Sequence, residues 1–277
     1  MVNPRSGGGE PTAEALAAAT RERGVEVHLL RKGEDPAEAA RSSGAAILGM
    51  AGGDGSLAAV ASVALATDAA FVCVPFGTRN HFARDVGLDR DDPFAALAAL
   101  TDGAERRIDA GRVGGQLFLN NVSLGVYAGL VHRREHHRRR GEALARIRGL
   151  LQVARHRHRL NARVNGEEVD ARVLLVGNNR YELSLFTVGE RERLDEGLLQ
   201  LRVAAGLLPT AWDERTEPTF RVELPGGRVR AAIDGEPATL ESPLVFESLP
   251  GALRLLVPQR TGESGTIGGF MHDKVEE

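Results

Sequence analysis

"AAILGMAGGDGSLAAVASVALATDAAFVCVP", residues 45 to 75, decides the fold. An apolar run of strand length (45 to 50) leads into a glycine loop (52 to 55), an alanine-rich helix (56 to 66) and a second apolar run (70 to 75). Strand, loop, helix, strand is βαβ order, which predicts a parallel sheet with helices on both faces. The glycine loop lies beyond the carboxyl end of a strand, where parallel sheets bind ligands. Helix-start N–H groups and glycines that admit a close approach suit a phosphate there. Taken alone, the loop reads equally as a tight turn in which Asp54 or Ser56 only caps the helix.

The neighbouring text extends the pattern. "VEVHLL" (25 to 30) is a further apolar run. Pro11 opens a helix that ends near Gly24, Asp35-Pro36 with Glu38 reads as cap, first-turn proline and capping glutamate, and Asp92-Pro93 opens another helix. From about residue 105 the pattern changes. "RRIDAGRV", "QLFLNNVSLG", "HRLNARVNG", "DARVLLVG", "LLQLRVAA", "TFRVEL", "RVRAAIDG", "LVFES" and "ALRLLV" read as strands between Gly, Asn and Pro turns, hence an antiparallel β-sandwich. "VNGEEV" (164 to 169) reads as a hairpin through Asn165-Gly166. "GEALARIRGLLQVAR" (141 to 155) is the exception, an amphipathic helix with Leu144, Ile147, Leu150, Leu151 and Ala154 opposite a basic face. The expected organisation is an α/β domain over 1–110, a β-sandwich domain over 111–258 and a tail over 259–277. "MVNPRSGGG" enters a turn after two residues, so the first strand is a stub or the chain is part of a longer one.

Composition narrows the function classes. The 277 residues are 42% hydrophobic and 26% charged, enough for a proper core and for two domains. Cys73, the single cysteine, has no disulfide partner, which fits a reducing cytoplasm; it reads as a core residue rather than a catalytic thiol. No apolar stretch approaches the roughly 20 residues that span a bilayer. The net charge of −3 conceals an intensely basic segment, 132 to 159. Its charge is arginine, which suits bidentate phosphate contacts or reflects codon usage.

Two more loops are expected at the edge of the sheet that carries the glycine loop: "NPRSGGG" (3 to 9) and "PFGTRNHFARDVGL" (75 to 88). Three such loops side by side make one polar cradle, with Arg5 and Arg79 available to meet negative charge. The cradle needs neither a Walker lysine nor a Gly-x-Gly-x-x-Gly fingerprint, and both are absent.

"NPRSG", "GGDGS", "PFGTRNHFARDVGL", "NNVSLG", "LDEGLLQL" and "IDGEP" together make the chain, over almost its whole length, resemble the diacylglycerol kinase catalytic domain family, which includes bacterial lipid kinases and sphingosine and ceramide kinases. Gly-Gly-Asp-Gly is shared with NAD kinases and phosphofructokinases; Gly-Thr-x-Asn-x-Phe-Ala-Arg is specific to the lipid kinases. The resemblance implies that Asn3, Pro4, Arg5, Ser6 and Gly7 hold the phosphates of ATP together with Gly52, Gly53, Asp54, Gly55 and Ser56, with Thr78 and Asn80 close by. It implies that Glu236 takes the proton from the lipid hydroxyl, with Asp234 of the same motif beside it in the catalytic pair. A carboxylate within hydrogen-bond reach can do this, although "IDGEP" also reads as a plain hairpin turn. A magnesium (Mg2+) network is implied at Glu196, Asp109 and His81. Two of these depart from the usual aspartate, and His81 removes a carboxylate where magnesium prefers oxygen, leaving a helix-capping histidine as the other reading.

The implied activity is transfer of the γ-phosphoryl group of ATP to a lipid hydroxyl, diacylglycerol to phosphatidic acid, in the cleft between the domains. The alternatives are a sphingoid, glycolipid or NAD acceptor, or a nucleotide-binding regulatory module that has lost turnover. Arginines 133, 134, 138, 139, 140, 146, 148, 155, 157 and 159 beside an apolar helix face suit a peripheral protein on an anionic membrane surface, or a solvated face of a helix packed on the β-domain. Histidines 132, 136, 137, 156 and 158 would strengthen the patch at acid pH, and Trp212 reads as an interfacial anchor. Nucleic acid is not an expected partner, because the basic run lacks interleaved aromatics and a helix-turn-helix. A homodimer stays open.

Overall fold

A computed structural model describes residues 1–7, 9–78, 80–125, 159–181, 183–184, 187–188, 191–204 and 212–259. The first lobe contains α1 (Ala13–Arg21), α2 (Pro36–Ser43), β1 (Ile47–Gly52), α3 (Asp54–Thr67), β2 (Ala70–Pro75), α4 (His81–Asp85) and α5 (Pro93–Ala96). Asp35 and Asp92 accept a backbone N–H from the first turn of α2 and α5 as expected, while α1 begins at Ala13 with Thr12, the residue after Pro11, as its cap. Helix α3 begins two residues earlier than the sequence suggests, so Asp54, Gly55 and Ser56 form its first turn.

β1 and β2 pair in parallel from Ile47↔Ala70 to Gly52↔Pro75. Val2 lies on the other side of β1, bridged in parallel to Ala51 and to Leu29. The run at 25 to 30 therefore supplies one bridged residue, Leu29, rather than a strand. Both faces of the sheet are covered: Leu48, Met50, Phe71 and Cys73 pack with α2 and α3, while Val72, Val74 and Phe76 pack with Leu16 of α1. Each such fully buried Leu or Phe is worth about 1.5–3 kcal/mol relative to exposure. Cys73 is part of this core, and burial pushes its thiol up, so it is no nucleophile.

The second lobe is made of β3 (Gly103–Val113), β4 (Gln116–Phe118), β5 (Asn121–Gly125), β6 (Leu160–Val164), β7 (Glu167–Ala171), β8 (Val173–Asn178), β9 (Leu183–Ser184), β10 (Thr187–Val188), β11 (Leu199–Ala204), β12 (Trp212–Glu217), β13 (Thr219–Glu223), β14 (Arg228–Ile233), β15 (Glu236–Glu241) and β16 (Leu244–Pro258). Six of these form an antiparallel sheet in the order β12-β11-β8-β5-β14-β15. It packs on β13, β6 and the first half of β16 around Phe118, Leu174, Leu201, Phe220 and Phe246, the expected sandwich. The β6–β7 hairpin turns at Asn165-Gly166, both at positive φ as a two-residue turn requires.

"LVFES" and "ALRLLV" are not separate strands. They run together as β16, whose first half pairs with β13 and whose second half pairs in parallel with β2, with a register shift between Leu249 and Leu253 against β3. The second half of β16 thereby extends the sheet of the first lobe, and the boundary expected at 110 falls inside β3. The helix at 141 to 155, the hydrophobic anchors on it and the histidines of the basic run lie outside the described residues. Of that run Arg159 is described, ion-paired with Asp170. Trp212 opens β12 and is partly buried.

Candidate active site

Val2, β1 and β2 are neighbours and parallel, so the segments that leave them emerge at one edge. Asn3 starts the first loop: its side-chain oxygen accepts from Arg5 N at 3.1 Å and its carbonyl from Ser6 N at 3.1 Å. Pro4 and Arg5 are exposed, and Ser6 and Gly7 half-buried. Gly7 is pressed against the third loop, since a Cβ there would sit 2.4 Å from the Phe76 ring. The second and third loops meet backbone to backbone: Phe76 N donates to Gly52 O at 3.3 Å, and a Cβ on Gly77 would lie 2.5 Å from Gly53 Cα. Only glycines allow that approach.

Asn80 holds the third loop in shape. It adopts φ +48°, accepts from Gly77 N at 2.8 Å and donates to Gly77 O at 2.9 Å. Thr78 beside it is exposed, and Arg79 is outside the described residues. Asp54 serves the same loop. Its two carboxylate oxygens accept from His81 N at 3.3 Å and Phe82 N at 3.1 Å, the first N–H groups of α4. The start of α3 receives no side-chain cap, and Ser56 Oγ donates back to Gly53 O at 3.1 Å. Open helix N–H groups therefore face the cradle, the arrangement that binds an anion.

The second lobe brings an acid to this point. β14 and β15 are joined by a two-residue turn at Asp234-Gly235, both at positive φ, so "IDGEP" is a hairpin turn, and Glu236 follows it as the first residue of β15. The exposed Glu236 carboxylate lies over the first turn of α3: a Cβ on Gly55 would meet its Cγ at 2.6 Å and its Oε1 at 3.1 Å. Asp234 is buried and accepts from Leu119 N, Asn120 N and Asn121 N at 2.8, 2.8 and 3.0 Å. Burial pushes its carboxyl up to about 6 against the pull of those three amides, and the charge of Asp54 adds to the rise. With its oxygens so engaged, Asp234 ties the hairpin to the 119–121 bend, and Glu236 is the acid that faces the cradle.

The three residues implied for magnesium lie apart in their bonding. Asp109 is buried in β3 and accepts from Gly197 N at 2.6 Å and Gly251 N at 2.7 Å, tying the "LDEG" bend and the β16 irregularity to one strand. Glu196 accepts from Arg180 N at 3.0 Å. His81 is exposed at the start of α4. Among the described residues no three His, Cys, Asp or Glu side chains converge as a metal site.

Sequence reasoning passed over a buried cluster next to this site. The side chain of Arg191 is 0% exposed and pairs with Asp85, 1% exposed, at 2.7 Å. Asp85 lies inside a quoted motif with no role assigned to it, and Arg191 sits in the charged run "RER", outside every quoted motif. The one available signal was "NNVSLG", whose paired asparagines mark the bend that Arg191 and Asp234 both grip.

A sequence profile of the diacylglycerol kinase catalytic domain matches residues 1–113. A probable lipid kinase YegS-like protein of Pseudomonas aeruginosa is 33% identical over 282 residues, spanning 90% of this chain and 91% of that one. A diacylglycerol kinase of Mycobacterium tuberculosis is 30% identical over 296 residues, spanning 94% of each. A crystal structure of a diacylglycerol kinase from Bacillus anthracis has the same fold, with a TM-score of 0.67 at 17% identity over 92% of this chain and 94% of its own.

Proposed function

The chain belongs to the diacylglycerol kinase catalytic domain family, and on that premise we propose that it transfers the γ-phosphoryl group of ATP to the free hydroxyl of diacylglycerol, giving phosphatidic acid. One observation carries the reading: Glu236, from the far lobe, stands over Gly55 at the open N-terminus of α3. The loops at 3–7, 52–56 and 76–80 hold the phosphates by main-chain N–H groups. Glu236 then accepts the proton of the lipid hydroxyl while its oxygen bonds to phosphorus and the bond to the departing diphosphate breaks.

Family membership implies ATP and a divalent cation. We take the cation to be magnesium arriving with the nucleotide, and no step is assigned to Glu196, Asp109 and His81 as its ligands. Among the described residues no helix is long and apolar enough to cross a membrane. The arginine-rich stretch 132 to 159 supports docking on an anionic membrane surface, where a two-chain substrate resides.

The test is transfer from labelled ATP to mixed micelles of diacylglycerol, sphingosine, ceramide or a glycolipid, with NAD as a soluble acceptor. Diacylglycerol should be labelled, and Glu236→Gln should lower turnover by about 100- to 10,000-fold while ATP affinity is kept. Labelling of NAD and no lipid, or near-normal turnover of Glu236→Gln, refutes the reading. His81, standing where the family carries an acid, favours a second reading as a nucleotide-binding module with weakened turnover. ATP binding without product, rescued by His81→Asp, would establish that one instead.

A further inference from the structure

Arg191 directs four hydrogen bonds from all three nitrogens of its planar fork. Nε donates to Asp85 Oδ2 at 2.7 Å, Nη1 to Leu119 O at 2.6 Å and Asn178 O at 3.0 Å, and Nη2 to Asn120 Oδ1 at 2.9 Å, with Tyr181 stacked 5.1 Å from the guanidinium. The bend at 119–121 is thus gripped from two sides. Asp234 takes its N–H groups, and Arg191 takes a carbonyl and a side chain.

From there the contacts run round a closed circuit. Asp85 ends α4, whose first N–H groups are held by Asp54 of the glycine loop. Asp234 begins the turn that leads to Glu236, and Glu236 returns to Gly55 of the same loop. A buried ion pair adds little net stability, because desolvation offsets most of its attraction; what a guanidinium with four directed bonds fixes is geometry.

We propose that the Arg191–Asp85 pair is a positioning device for phosphoryl transfer, setting the place of Glu236 relative to the phosphate cradle. The inference rests on the kinase reading of the site. A group displaced by about 1 Å costs about 100-fold in rate, so the pair should act on turnover and leave nucleotide binding alone.

The experiment compares Arg191→Lys and Asp85→Asn with wild type and with Val222→Ala, a sandwich-core change remote from the circuit. Turnover per folded molecule, KM for ATP and ATP affinity by calorimetry are measured well below each melting temperature. Lysine keeps the charge beside Asp85 but cannot span the bend, so Arg191→Lys should lose about 100-fold in kcat with ATP affinity within about threefold. Asp85→Asn, nearly isosteric, carries the test should the lysine variant not fold. Val222→Ala should lose stability and keep its kcat. Near-normal kcat in either pair variant, a loss shared equally by Val222→Ala, or ATP affinity falling in step with kcat overturns the proposal. A wild-type protein that binds ATP and phosphorylates no lipid fails differently: the kinase reading falls, and this inference with it.

Discussion

A single methyl group tests the placement of Glu236 most directly. In Gly55→Ala the new carbon would lie 2.6 Å from Glu236 Cγ, whereas carbon atoms rest about 3.5–4.0 Å apart, so the side chain must retreat by about 1 Å. Gly55 lies inside α3 with helical backbone, where alanine is favoured over glycine by up to about 1 kcal/mol. The fold should therefore hold or gain slightly while the acid is displaced, and a 1 Å displacement of a reacting group costs about 100-fold. The assay is lipid phosphorylation from ATP beside a thermal melt. The double variant Gly55→Ala/Glu236→Gln supplies the control: if the methyl acts by moving the carboxylate, it costs nothing further once the carboxylate is gone. Normal turnover in folded Gly55→Ala would refute a catalytic Glu236 over the helix start. A further 100-fold loss in the double variant would show that the methyl obstructs the nucleotide instead.

Two other expectations come from charge. Asp234 has its carboxyl raised from 3.8 to about 6 in the folded protein, so between those values the native state binds more protons than the unfolded one. Its contribution is then greatest below pH 4 and is lost as pH rises to 6, by about 3 kcal/mol in all. Urea midpoints from pH 4 to 8 should show that fall in wild type and lack it in Asp234→Asn; equal slopes would refute the burial argument. Replacing Arg138, Arg139 and Arg140 by alanine should weaken binding to anionic phospholipid vesicles by up to about 100-fold at low salt, at about 1 kcal/mol per charge near the surface, and leave soluble ATP binding unchanged. Vesicle sedimentation that is insensitive to these changes and to salt would remove the segment as a membrane contact.

The parts of this molecule that could be read from the chain are those whose cause is local. Apolar runs at 45 to 50 and 70 to 75 form β1 and β2, which pair with each other and are buried apart from Ile47 and the half-buried Gly49, and Asp35 and Asp92 mark helix starts because a cap and its helix are adjacent in sequence. Asn165-Gly166 and Asp234-Gly235 announce hairpins for the same reason. What a residue does once the chain has folded back was not legible. Asp54 looked like a phosphate or cap residue and turned out to hold the start of α4, 27 positions on. The final apolar segment carries no mark showing that it enters the first lobe, since parallel pairing with β2 depends on a partner about 180 residues away. Arg191 carries no mark in the sequence, because a buried arginine is betrayed only by its partners, which the sequence scatters over residues 85, 119, 120 and 178.

These long-range ties have a common consequence for the cleft. β16 is hydrogen-bonded to β13 in the second lobe and to β2 in the first, so the lobes share a backbone ladder rather than a flexible joint. Asp109 holds that strand at Gly251 and the "LDEG" bend at Gly197, and Asp234 and Arg191 hold the opposite side through the bend at 119–121. Glu236 sits on a two-residue turn anchored by the second of these ties, on an edge strand that would otherwise be free to splay. An acid that must meet a hydroxyl within hydrogen-bond reach gains from a fixed place more than from raised basicity. Asp109, Asp234 and Arg191 accordingly direct hydrogen bonds to backbone N–H and C=O groups around the cleft, and the carboxylate of Glu236 stands over the helix start.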